Sequence, residues 1–173
     1  MGCRIAALVL VPIAMAGLCA CVSDEGGSRP IVTPPSGSVV ASPFSPAGVR
    51  VLPLTHFERT ASGATRVLVF FELIDQWGDT VKGAGALEIV ARRAGGGDAV
   101  EWSIDLADLE RNASLYDPST RAYRLALKDL PAWLASIGAG EAGAATLEVY
   151  FRTLGSDGQP VVLRDRFELG RPG

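Results

Sequence analysis

Histidine occurs once in this chain, at His56, and no cysteine lies beyond position 21. With one imidazole and no downstream thiolate, the body of the chain lacks the ligands of a His/Cys zinc site. It also lacks a thiol nucleophile and any partner for a disulfide. Lysine is nearly missing, with Lys82 and Lys128 the only two among 16 basic residues. That arginine bias accompanies abundant Ala and Gly and reads as genome composition, not function. No run of one charge sign occurs, and the formal net charge is −3. This argues against nucleic acid as a partner and against an electrostatic membrane patch. The apolar stretch from Ile5 to Leu18 has 14 residues, whereas a helix that crosses a bilayer core needs about 20. No glycine-rich phosphate loop is present, because "ARRAGGGDA" lacks the Lys-Ser/Thr that would follow.

What is present begins at the N-terminus, "MGCRIAALVLVPIAMAGLCAC". One basic residue, Arg4, followed by a short apolar segment is the layout of a secretory signal peptide. The segment ends in Leu18-Cys19-Ala20-Cys21. That quartet resembles the lipobox of bacterial lipoproteins: an aliphatic residue, a tolerant position, a small residue, then cysteine. The resemblance implies that the Cys21 thiol is joined to diacylglycerol, that the chain is cut before Cys21, and that the new amino group is acylated. Choosing Cys19 as the acceptor would put Leu18 where a small residue is expected. A competing pattern, N-myristoylation at "MGC", wants Ser or Thr at the sixth position and meets Ala6. Cleavage at Cys21 removes Cys3 and Cys19, so the cysteine pair reads as a processing signal and not as a thiol site.

Three acyl chains would make release from a membrane negligible, since each buried methylene contributes about 0.8 kcal/mol. In lipoproteins of Gram-negative type an Asp directly after the cysteine often marks retention in the inner membrane. Here Val22 and Ser23 come first, so the resemblance implies the outer membrane. Residues 21–48 are rich in Pro, Ser and Gly and carry no apolar period, which predicts a disordered tether. Its reach is on the order of 30 Å coiled and about 80 Å extended, long enough for the domain to stand clear of the headgroups. The predicted organisation is therefore signal peptide 1–20, lipidated tether 21–48 and one folded domain 49–173.

Period-two alternation runs through that domain. Seven stretches read as strands: "VRVLPLTHF", "TRVLVFFELI", "GALEIVARR", "AVEWSIDL", "AYRLALK", "TLEVYFRTL" and "VVLRDRFEL". Pro53 puts the first at an edge or a bulge, and the second is apolar on both faces, as a covered central strand would be. Turns rich in Gly, Asp and Pro separate most of them. The pattern predicts an all-β fold, an antiparallel two-sheet sandwich of immunoglobulin-like type. Two helical turns are expected, in "LADLERN" and "DLPAWLASIG". In the second, Asp129 is expected to cap, Pro131 to open the turn, and Trp133, Leu134 and Ile137 to close one end of the core.

"ELIDQWGDTVKGAGALEI" resembles the first hairpin of bacterial immunoglobulin-like and carboxypeptidase-regulatory-like modules, with Asp75, Gly78, Val81, Gly83 and Ala84 in the matching places. The physical content is turn chemistry: Asp75 bonds backbone N–H groups ahead of it, and Gly78 takes a positive φ. Trp77 sits in that turn, where a large ring has less reason to be buried than Trp102 has in its strand. Trp77, Asp75 and Asp79 are therefore the candidate binding residues, with Trp77 stacking on sugar or gripping a protein, or else folding back over the sandwich end.

Other chemistry is thin. A Ser-His-Asp relay through His56 has no G-x-S-x-G elbow to support it, and a strand-end role is expected instead. Asp75 with Asp79, or Asp105, Asp108, Glu110 and Asp117, supply acids for calcium, but the D-x-D-x-D-G spacing is absent. Asp165 intrudes on the apolar side of its strand, as a bulge or rim residue would. "NAS" at Asn112 has the form of a glycosylation sequon. The leading expectation is a lipid-anchored envelope lipoprotein, non-catalytic and without a cofactor or metal, that binds a protein or polysaccharide or scaffolds an assembly. The alternatives are an envelope hydrolase or ligand carrier built on loop carboxylates, and a secretion or transport subunit with an open edge strand.

Overall fold

A computed structural model of the chain describes residues 42 and 44–170. The expected signal peptide, the lipobox residues Leu18, Cys19 and Ala20, the lipidation site Cys21 and most of the tether lie outside the described residues.

Ten strands and two short helices follow in order: β1 (Gly48–Val51), β2 (His56–Arg59), β3 (Thr65–Ile74), β4 (Thr80–Val81), β5 (Ala86–Arg93), β6 (Ala99–Asp105), α1 (Leu109–Leu115), β7 (Tyr116–Asp117), β8 (Ala122–Leu127), α2 (Ala132–Gly138), β9 (Ala145–Leu154) and β10 (Pro160–Leu169). They form two antiparallel sheets, one ordered β1-β3-β8-β7, with β2 and β4 also on β3, the other β10-β9-β5-β6. This is the strand order of an immunoglobulin-like sandwich. Six of the seven stretches read from the sequence are single strands, and the first is divided between β1 and β2. The added β4 and β7 are two residues each, too short for a period to show.

Alternation sorts the side chains. Val67, Val69, Phe71 and Leu73 of β3 face Leu87, Ile89 and Ala91 of β5 and Leu147, Val149 and Phe151 of β9, all fully buried. Each such large side chain stabilises by about 1.5–3 kcal/mol relative to exposure. The outer face of β3 is covered without a third layer. Glu72 pairs with Arg50 of β1 and accepts from Thr80 Oγ1 at 3.2 Å, and the His56 ring stacks on Phe70.

The first predicted strand breaks where Pro53 cannot donate. β1 stops at Val51 and β2 starts at His56, and the step is bridged by Thr55, whose hydroxyl accepts from the Phe70 N–H at 3.0 Å. Packing also starts earlier than position 49. Pro46 is buried and the Ala47 N–H donates to the Ile74 carbonyl at 2.7 Å.

Asp165 is not on a bulge, because β10 pairs with β9 without interruption from Pro160 to Leu169. It sits at the rim of one sheet and accepts the Val51 N–H of the other at 2.7 Å. Leu52, next along, donates to Phe70, so the Val51 N–H points out of its sheet and has no strand partner. On the opposite side the Trp102 indole N–H of β6 donates to the Lys128 carbonyl beyond β8 at 3.2 Å.

α1 is capped by Asp108, which accepts from the Glu110 and Arg111 N–H groups. The expected Asp129 cap is not made. Asp129 has φ +54° and α2 opens at Pro131 with no side-chain cap. The N-cap position is Pro131, two residues beyond Asp129, and proline has no side-chain oxygen to cap with. Leu134 is fully buried, with Trp133 and Ile137 packed against the core as expected.

The Asp165→Ala variant leaves the part-buried Val51 N–H without its acceptor. A loss of about 1–3 kcal/mol is expected in urea unfolding, with the m-value unchanged.

Candidate functional site

The β3–β4 turn is built by Asp75. Its Oδ1 accepts the N–H groups of Trp77 at 2.9 Å and Asp79 at 3.0 Å, and its own N–H donates to the Asp79 carbonyl. Gly78 completes the turn at φ +88°, where any other residue would pay about 1–2 kcal/mol. The turn chemistry read from the sequence is thus present, with a consequence for the site. The buried Asp75 carboxylate is occupied by backbone and does not face solvent as a ligand, while Asp79 is exposed and contributes its backbone.

The same turn holds Trp77 outward, 60 % exposed. It does not fold back over the core. Its ring lies 5.7 Å from that of Phe44, tilted by 50°, and Phe44 is itself 64 % exposed. Phe44 escaped the sequence reading because it sits among Ser and Pro residues assigned to the tether. An aromatic within "ASPFSPAG" was the available signal.

Behind the turn lies a buried polar network. The Tyr123 hydroxyl donates to Asn112 Oδ1 at 3.0 Å and accepts the Gly83 N–H at 3.2 Å. Asn112 Nδ2 donates to the carbonyls of Gly83 and Leu106, both at 2.8 Å. One side chain of α1 thereby ties the end of β6 to the segment between β4 and β5. Burial pushes the Tyr123 hydroxyl above its ordinary pKa, against the opposing effect of its bonds to Gly83 and Asn112. Gly83 has no room for a side chain: a Cβ would stand 2.6 Å from Pro46 and 2.8 Å from Leu73. Asn112 is 6 % exposed with its amide fully engaged, so the sequon there is structural.

The remaining acids hold their own loops. Asp105 accepts from Ala107, Asp117 from Ser119 and Asp157 from Gln159. The Ser119 N–H lowers the Asp117 pKa. Among the described residues no three of His, Cys, Asp and Glu gather as a metal would require. His56, exposed at the start of β2, directs Nδ1 to the Leu54 carbonyl at 2.6 Å.

At the other end of the sandwich, an open cleft of about 550 Å³ runs between β2 and the end of β10, with Phe57, Ile137 and Phe167 as apolar lining and His56, Glu141 and Glu168 as polar lining. Glu168 is engaged by Thr146 and Arg166.

The outer face of the second sheet is a lattice of ion pairs, Arg92–Glu148 at 2.9 Å and Arg152–Glu88 at 2.8 Å. Arg92 donates to the Glu148 carboxylate and holds its pKa below the ordinary range.

Two outcomes follow from these geometries. Asp75→Ala should cost about 1–3 kcal/mol by freeing two N–H groups, whereas Trp77→Ala should stay within about 0.5 kcal/mol, both read by thermal and urea unfolding. The depressed Glu148 pKa adds stability above the ordinary glutamate range that is lost as pH falls through the lower folded value. Glu148→Gln should therefore flatten the acid limb of a stability–pH curve.

Compared with known proteins, the chain matches no family model, no curated sequence and no solved structure.

Proposed function

We propose that the chain is a lipoprotein of the cell envelope, anchored through acylated Cys21, whose sandwich is a non-catalytic binding or structural module. The observation that carries this reading is the quartet Leu18-Cys19-Ala20-Cys21 at the end of a short apolar segment with one basic residue before it. Several features support it. The folded part has no cysteine to constrain or use. Among the described residues the first buried one is Pro46, which follows the Pro-, Ser- and Gly-rich stretch after Cys21. Asp75, Asp108 and Asp165 serve as backbone acceptors, roles that account for them structurally.

Val22 and Ser23 after the acceptor cysteine favour the outer membrane. The module's contact point is the exposed Phe44–Trp77 pair, an aromatic surface suited to an envelope protein, a polysaccharide or the membrane itself.

Mass spectrometry of the chain extracted from native membranes should find a mature N-terminal peptide that begins at triacylated Cys21. A product that retains Met1, or that starts beyond position 21 without acyl groups, would overturn the anchor. Cys21→Ala should accumulate as uncleaved precursor, whereas Cys19→Ser should be processed normally.

A further inference from the structure

The exposed large apolar side chains are not scattered. Six stand out among the described residues: Phe44, Leu54, Trp77, Leu109, Leu154 and Val162. Strand register places five of them at the level of one end of the sandwich: Phe44, Trp77 and Leu109 outside the long strands there, and Leu154 and Val162 on the adjoining outer face of the second sheet, in register with Arg152. Trp77 follows the end of β3, where Ile74 pairs with Gly48 and with Thr80. Ala86, at the start of β5, pairs with Asp105 at the end of β6 and with Arg152 near the end of β9. Leu154 closes β9 opposite Pro160, and Val162 pairs with Arg152. Leu109 opens α1, four residues after Asp105. The two sheets meet at this end, since Gly83 is wedged between Leu73 and Phe151. Only Leu54, between β1 and β2, lies elsewhere.

This is also the end at which the N-terminal segment joins the domain, because Phe44 precedes β1 by four residues and β1 starts opposite Ile74. We propose that this end, led by Phe44 and Trp77, rests on the lipid headgroup surface to which the tether holds it. The inference builds on the reading of Cys21 as acylated and names the occupant of the aromatic pair.

Three physical points favour lipid. Tryptophan with apolar neighbours belongs at a membrane–water interface, where the ring body leaves water and the indole N–H stays hydrated. Acylation at Cys21, as proposed, would hold this end within a short length of chain from the surface, so a weak contact is enough. The third is polarity. A water-facing loop end without a partner would be polar, and the paired rings of Phe44 and Trp77, with Leu109 exposed at the same end and Leu154 and Val162 on the adjoining sheet face, exceed the scattered singles of an ordinary surface. The end also carries exposed acids, among them Asp79, Asp105, Asp108 and Asp157, against Lys82 and Arg111. Its preferred surface is accordingly zwitterionic and not anionic. The tether's length permits the domain to stand clear of the membrane, but this apolar end returns it to the surface.

The test uses the full processed chain in phosphatidylcholine vesicles whose acyl chains carry bromine near the headgroup. Tryptophan emission should be lost relative to unbrominated vesicles, and that loss should vanish in Trp77→Phe and weaken in Phe44→Ser. Trp102 and Trp133, both half-buried in the body of the sandwich, remain as the internal background, and circular dichroism verifies that the variants fold. Equal emission in brominated and plain vesicles, with Trp77 still quenched by aqueous iodide, would overturn the proposal. So would shielding of Trp77 that needs added envelope protein or polysaccharide. The mass of the Cys21 peptide from the same sample separates the two readings: with acyl groups present and no bromine quenching only the docking falls, and without acyl groups the anchor falls and takes the docking with it.

Discussion

Two stacked sheets bury their facing sides easily, but their edge strands leave N–H and C=O groups that must be satisfied without opening the core. In this sandwich each lateral side is joined by a side-chain hydrogen bond that crosses between sheets. Asp165 reaches from β10 to the outward N–H of Val51 at 2.7 Å. Trp102 reaches from β6 to the Lys128 carbonyl at 3.2 Å. An acid in an apolar register and an indole on an edge strand are what the closure requires: each presents apolar surface or a short stem inward and a polar atom at the seam. The same contacts blunt edges that would otherwise invite pairing with another chain.

With the sides sealed, the ends are left to differ. At the end where the chain enters, the Asn112–Tyr123–Gly83 network fixes the loops from beneath, in a buried setting where every polar atom has a partner. Above it the Asp75 turn can display Trp77 without losing its own shape, because the turn is held by backbone bonds and not by packing of the ring. A display residue on a rigid support keeps its exposed geometry at little entropic cost. The opposite end carries α2, which puts Leu134 into the core and leaves the cleft between β2 and β10 open beside it.

Much of this was legible in the residues. Alternation located the half-buried long strands, which must repeat with period two, while β3 showed itself by a run apolar on both faces. The Asp75–Gly78 spacing foretold its turn, because short-range hydrogen bonding and φ preference are local properties. Asp129 failed as a cap because the helix begins two residues later than the letters suggested, with Pro131 at the cap position. Asp165 could be recognised as anomalous, yet its partner lies 114 positions away on the other sheet. Phe44 was hidden by composition, its surroundings resembling linker although its neighbour in space is Trp77. The Asn112 sequon had the right letters in a place no glycan can reach.

The order of residues by itself pointed to an all-β sandwich and marked the long strands, the Asp75 turn and the quartet ending in Cys21 on which the anchor reading stands, because each is written as a local pattern of consecutive residues. Which strands became edges, which acids found backbone partners and where the exposed apolar side chains collected were decided only by tertiary structure. Those outcomes depend on register and sheet order, which bring distant segments to one seam or one end, and no local period encodes that distance.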